Sequence, residues 1–226
     1  MKYLLTLALL LHSLLALADL WTTNKDHSEL MFQVPYMGVS ELTGRFNDFK
    51  GEVSYEDKKP IIKSLSVSIE STSIDTGNKM RDGHLRGSDF FQSKEHPQIT
   101  FKSHHISLEK PHQYKASGEL SIKGISRPHS ISFTTTTSVK DTWGYENIFV
   151  KFKSVINRKD FKINWNKTLD GKEFLVGDEI TFWGTFQMQP YRAATPNSKH
   201  MIPDTQQIRE RDSSLSKKFR DLINWK

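Results

Sequence analysis

The chain has no cysteine. That removes thiolate nucleophiles, Cys-ligated zinc, iron–sulfur clusters and disulfide staples, so a folded core must hold by packing alone. Charge of one sign is also missing over most of the length. Residues 19–190 carry 23 Lys+Arg against 22 Asp+Glu. A nucleic-acid-binding domain would show a basic face, so that class is set aside. The nine histidines include no H-E-x-x-H or H-x-H spacing. His104 and His105 are adjacent, and neighbours on a regular strand point to opposite faces, so no metal site is expected. No helix-period repeat runs through residues 19–190 either.

The N-terminal apolar run is short. It covers residues 3–11 and 14–17, follows Lys2, and is broken by His12 and Ser13. A membrane span needs about 20 apolar residues. Ala16-Leu17-Ala18 fits the small-x-small cleavage rule. Residues 1–18 are therefore expected to be a signal peptide, with a mature start at Asp19 and a periplasmic or secreted product. The alternative is an uncleaved anchor.

What is present from there on is alternation of period two, the signature of half-buried strands. Leu30, Phe32 and Val34 share a face in the first strand, which Pro35 is expected to end. Phe49, Gly51, Val53 and Tyr55 alternate next, then Leu65, Val67 and Ile69. Ile99 and Phe101 open a strand expected to stop near Ser103. Tyr114, Ala116, Gly118, Leu120 and Ile122 follow, then Ile131 and Phe133 across a hairpin. Ile148, Val150, Phe152, Ser154 and Ile156 come next, and Ile180, Phe182, Gly184, Phe186 and Met188 last. Eight such segments can close into a barrel wide enough for one small ligand. A solid core and a greasy pocket would use the same inward residues.

One stretch interrupts this alternation. Residues 79–87 are rich in charge and end at Gly87, which predicts a short helix with a glycine stop. Asp89-Phe90-Phe91 follows, and His96-Pro97 forces an extended approach to the next strand. The plain reading is a helical connection across an open barrel end. The sharper one is a lid over a cavity, with Arg81, Asp82 and His84 offering polar groups to a ligand.

Several motifs together resemble the YceI-like, polyisoprenoid-binding family. They are Ser73-Ile74-Asp75-Thr76, Arg81-Asp82-Gly83-His84-Leu85, Asp89-Phe90-Phe91 and Pro97-Gln98-Ile99-Thr100-Phe101. Gly44-Arg45-Phe46, Gly124-Ile125-Ser126-Arg127-Pro128 and Asn157-Arg158-Lys159-Asp160-Phe161 extend the likeness over about residues 21–188. Tyr36 stands where the family usually has His. The resemblance implies a mainly β fold: an eight-stranded, antiparallel, lipocalin-like barrel over residues 19–190 with a short helical lid. It implies a long isoprenoid chain inside, of quinone or polyprenyl type, and no cofactor.

On that reading the ligand-contacting residues are Phe32, Val34, Leu65, Val67, Ile69, Ile99, Phe101, Leu120, Ile122, Ile131, Phe133, Val150, Phe152, Ile180, Phe182 and Phe186 from the strands. Arg81, His84, Leu85 and Phe90 join them from the lid. No catalytic residue is expected. His27, Ser28, Asp82 and His84 can be assembled on paper into a hydrolytic site, but no nucleophile elbow accompanies them. A structural or dimerising barrel is the other alternative. Asn166-Lys167-Thr168 is formally a glycosylation acceptor.

Residues 191–226 differ. They hold eight Lys+Arg and four Asp+Glu. Leu215, Phe219, Leu222 and Ile223 recur at helical spacing, which predicts a basic helix. It would either pack on the barrel or a second copy, or meet an anionic membrane surface.

Overall fold

The structure, a computed structural model, describes residues 19–56, 61–169 and 173–191. The expected signal peptide, and the expected tail helix beyond Tyr191, lie outside the described residues.

Strands β1 (Asp19–Thr23) and β2 (Glu29–Tyr36) are two parts of one long run, split by a 3-10 turn at Lys25–His27. β3 (Ser40–Phe46) and β4 (Phe49–Glu56) return beside them. β5 (Ile61–Glu70), the short β6 (Ile74–Asp75), helix α1 (Lys79–Arg86), β7 (Gln98–Lys110), β8 (Gln113–Ile122) and β9 (Ile125–Thr135) follow. The chain then forms β10 (Val139–Lys140), β11 (Glu146–Asn157), β12 (Thr168–Leu169), β13 (Glu173–Phe174) and β14 (Glu179–Pro190). The long strands pair antiparallel in sequence order. β14 pairs with β11 along one side and with β1 and β2 along the other, which closes an eight-stranded barrel.

Three local expectations need correction. The first strand begins at Asp19, because Trp21 is paired with Val53 and buried against Tyr55, ring centroids 5.1 Å apart. Pro35 does not end β2: it pairs with Glu41, and its carbonyl accepts from Gly177 N at 2.8 Å. β7 does not stop near Ser103. Its register shifts between Ser103 and His105, and the strand continues to Lys110. One extra residue resets the alternation, as a β-bulge does. Gly118 lies opposite, where a Cβ would collide with Lys102 O and come within 2.7 Å of Ser103 Cα. His104 and His105 are both exposed, and among the described residues no group of three metal-ligating side chains forms.

The two barrel ends differ. Near one end Trp21, Ile148 and Met188 are fully buried around a polar knot. Asn147 Oδ1 accepts from Gln187 Nε2 at 2.6 Å and from Gln189 Nε2 at 2.8 Å, and Asn147 Nδ2 donates to Tyr145 O at 2.8 Å. Burying amides is tolerable because their polar atoms find partners. The other end, marked by Ile156 and Ile180, is separated from this knot by most of the length of β11 and β14.

The barrel wall is not zipped throughout. β9 pairs with β8 along its whole length, but with β11 only through Phe133, Thr134 and Thr135. Beyond them the two strands part, and Pro128 sits in this unpaired part of β9. Proline suits an edge, since it has no N–H to donate. A side-chain bond bridges the seam, with His129 Nε2 2.9 Å from Ser154 Oγ.

Burial pushes the His129 imidazole below its ordinary value of 6.5. The unfolded chain therefore takes up this proton more readily than the folded one. Stability from His129 is fully present above about pH 6.5 and is lost as pH falls through the folded value. Melting measured from pH 7 to pH 5 should show wild type losing ground to His129→Gln. Parallel curves for the two proteins would place the acid sensitivity elsewhere.

Candidate functional site

The open end holds an apolar cavity of about 410 Å³. Ligand pockets run from roughly 300 to 1,000 Å³, so the volume suits a small or partly inserted molecule. Its walls come from β2, β3, β5, β7, β8, β11 and β14, and its cover from α1 and residues 158–165 and 175–176.

The lid is fastened by its own sequence. Asn78 caps α1, its Oδ1 accepting from Met80 N and Arg81 N at 3.1 Å each. Such a cap satisfies amides that a helix start leaves open. Gly87 stops the helix as expected, but with φ −76° and ψ 178°, outside the left-handed region; its N–H donates to His84 O at 2.9 Å. Arg86 ties the last turn down, Nε to Thr72 O and Nη2 to Ile74 O, both 2.7 Å. Leu85 and Phe91 pack against the core beneath, and Phe90 belongs to it.

Of the three polar lid residues, Arg81 and His84 line the cavity and Asp82 does not. Asp82 is buried and faces back into the fold: Oδ1 accepts from Thr76 N at 2.9 Å and from Thr76 Oγ1 at 2.6 Å. Asp82 does not line the cavity. Arg81 does, but its Nε donates to Thr76 Oγ1 and its Nη2 to Thr76 O, both at 2.8 Å. His84 also lines it, with Nε2 2.8 Å from Asp89 Oδ2 and the ring edge-on to Phe90 and Trp165, each 5.0 Å away. Arg81 and Asp82 thus pin the lid. Arg81→Ala should cost about 1–2 kcal/mol, since it removes two hydrogen bonds from a charged donor that is partly exposed. His84→Ala, which removes one exposed side-chain hydrogen bond to Asp89, should cost under about 1 kcal/mol. Denaturant melts of the two single variants check the order.

The hydrolytic assembly does not form. Ser28 Oγ donates to Asn24 O at 2.6 Å and accepts from Gln187 N at 3.0 Å, while His84 is held by Asp89. Among the described residues no hydrogen bond joins the two.

The twenty residues expected to contact a ligand divide between two voids. Phe32, Val34, Ile69, Ile99, Leu120, Ile122, Ile180 and Phe182 line the large cavity, with Arg81, His84, Leu85 and Phe90 of the lid. Leu65, Val67, Phe101, Ile131, Phe133, Val150, Phe152 and Phe186 do not. They surround a separate void of only about 50 Å³ deeper in the barrel. An elongated cavity running past Phe101, Phe133 and Phe152 is therefore not what the structure has: their rings fill that half. Phe152 packs on Phe186 at 5.2 Å, and Tyr114 stacks on Phe133 at 5.1 Å.

Arg158, Phe161, Ile163, Trp165, Leu175 and Val176 were not foreseen in the wall. Arg158 is 3% exposed. Its Nε donates to Gly177 O at 2.9 Å and its Nη1 to Ile163 O and Trp165 O at 2.7 Å each. Nη2 reaches Val176 O at 3.4 Å and Asp178 Oδ1 at 3.0 Å. All five donors of the guanidinium are used. Burial lowers its pKa, opposed by the neighbouring Asp178 charge. This arginine ties residues 163–165 to residues 176–178, and Phe161, Ile163, Trp165 and Val176 line the cavity beside it. The only sequence signal was an arginine inside a motif directly after an alternating strand. Asn166, of the formal glycosylation acceptor, donates Nδ2 to Val176 O at 2.7 Å in the same segment.

The YceI-like domain profile matches residues 21–188. A UPF0312 protein of Pectobacterium atrosepticum is 31% identical over 150 residues, which is 66% of this chain and 78% of that protein. Among solved structures, BcnA of Burkholderia cenocepacia superposes with TM-score 0.62 at 24% identity, over 73% of this chain and 98% of that one. A polyisoprenoid-binding domain from Saccharophagus degradans superposes with TM-score 0.57 at 13% identity, over 77% and 99% respectively.

Proposed function

Since the chain belongs to the YceI-like domain family, we propose that its barrel holds the hydrocarbon part of an isoprenoid lipid, of quinone or polyprenyl type, for storage or transport outside the cytoplasm. The observation that carries this reading is the roofed, apolar cavity of about 410 Å³ at one barrel end. The polyisoprenoid-binding neighbour of the same fold supports the ligand class. Burial of apolar surface, at about 25 cal/mol per Å², supplies the affinity, and no cofactor is needed.

The charges bordering the cavity favour a neutral head group. Arg158 has every donor taken, and Arg81 keeps two of its nitrogens on Thr76. A phosphate would call for unspent cations aimed at it. A quinone carbonyl or a hydroxyl asks for only one or two hydrogen bonds. The protein acts by binding, with no catalytic step.

Export rests on the leader, with Asp19 as the first mature residue. Intact mass of protein from the native exported fraction checks this, and a mass retaining residues 1–18 would refute it. For the ligand, organic extraction of protein purified from its native source, followed by mass spectrometry, should release one apolar lipid in near-stoichiometric amount with an isoprenoid fragmentation pattern. Recovery of nothing, or only of bulk phospholipid, would favour a barrel that serves structurally.

A further inference from the structure

The large cavity and the small void below it are neighbours. Leu30 of β2, Ile69 of β5, Leu120 of β8 and Phe182 of β14 border both. They come from four strands around the barrel and together form a partition. Leu30 and Leu120 are buried, at 5% and 6% exposure. Phe182 is the bulkiest of the four and is only partly buried. Its ring is held at the edge of the partition, 6.2 Å from Phe152 and 6.1 Å from His129. Below it the core is tight: a Cβ on Gly184 would sit 2.8 Å from the Phe152 ring.

We propose that this partition is a chain-length stop, with Phe182 as its determining residue. The inference rests on the apolar-chain reading above and deepens it. A hydrocarbon chain entering past the lid runs down the cavity until its end meets Phe182. The small void beyond, about 50 Å³, is closed to it only by that side chain and its three neighbours. Removing the Phe182 ring joins the two spaces and frees the ring's own volume, so the cavity deepens along the barrel axis without a change at its mouth. Long chains then gain buried carbons, while chains that already fit gain nothing. A wall residue that only contributed packing would weaken binding of every chain alike. A stop changes the ratio between lengths.

The test is a competition series on the full-chain protein. Diphenylhexatriene fluorescence reports cavity occupancy, and geraniol, farnesol, geranylgeraniol and solanesol compete for it. In Phe182→Ala the affinity ratio of geranylgeraniol to farnesol should rise about tenfold over wild type, which corresponds to burying between about one and two further carbons at roughly a fourfold gain each. Phe182→Leu, which leaves less of a hole in the core, should shift the ratio in the same direction by less. Val34→Ala, in the cavity wall at the mouth end of β2, should leave the ratio unchanged. An unchanged ratio in both Phe182 variants, with all affinities falling together, overturns the stop. Wild-type protein that binds none of the alcohols overturns the apolar-chain reading, and the stop with it.

Discussion

Arg158→Met should lower the stability of the barrel by about 3 kcal/mol, within the range for breaking a buried charged network. The cost has two parts. Gly177 O, Ile163 O and Trp165 O each lose a short donor. Buried acceptors left open cost about 1 kcal/mol or more apiece. Asp178 loses a partner but keeps Lys159, 2.6 Å away, and is 31% exposed, so its share is small. Val176 O keeps Asn166. A domain of this length should lose roughly ten degrees of melting temperature. Arg158→Lys should rescue little, because an ammonium is a point donor and cannot span four carbonyls fixed by a planar fork. The segment freed by the substitution carries Ile163, Trp165 and Val176, so probe binding should weaken even well below the new melting temperature. A Lys variant as stable as wild type would show that charge, and not the fork, is what this site requires.

Ile180→Asp is expected to abolish retention of an apolar chain while sparing the fold. Ile180 lies opposite Ile156 at the cavity end of β14, is only partly buried and lines the large cavity. In the empty protein an aspartate there reaches solvent and stays hydrated. A bound hydrocarbon must strip that water, and an unpaired carboxylate resists the transfer strongly. Affinity should fall at least about a hundredfold, equivalent to some 2.7 kcal/mol. The expected loss of melting temperature is a few degrees at most. Diphenylhexatriene titration beside a thermal melt checks both halves. Unchanged affinity would move the binding site away from this cavity. The same substitution at Phe152 would behave differently: its ring is wedged between Phe186 and Gly184 in the packed half, so folding itself should fail first.

The contrast between Ile180 and Phe152 shows where the sequence stops being informative. Both sit in clean period-two alternation, and nothing local distinguishes them. Alternation reports which side of a strand faces inward, because the pleat alone fixes it. It therefore placed Leu120, Ile131, Val150 and Phe182 inside the barrel. Turn chemistry was equally local. Lys123 and Gly124 both adopt positive φ, 51° and 70°, as the tight β8–β9 hairpin requires. The bounds of the lid helix followed from its charge and from Gly87, and the family followed from motif order.

Three features belong to the tertiary structure alone. The height at which inward side chains meet is set by strand register and by the stagger of barrel closure. That is why eight of the expected contact residues border only a void of about 50 Å³ while twelve open onto one of about 410 Å³. The bulge at His104 shifts register through a backbone insertion that no side-chain pattern announces. The roles of Arg81 and Arg158 depend on carbonyls that the fold brings within reach. Arg81 turns to Thr76, five residues away, and Arg158 to a segment up to twenty residues later in the chain. In sequence Arg81 looks like a cation free to meet a ligand, and Arg158 is one residue of a motif after a strand. In the folded barrel, a local pair of hydrogen bonds commits Arg81 to the turn before its own helix, and longer-range ones commit Arg158 to the roof.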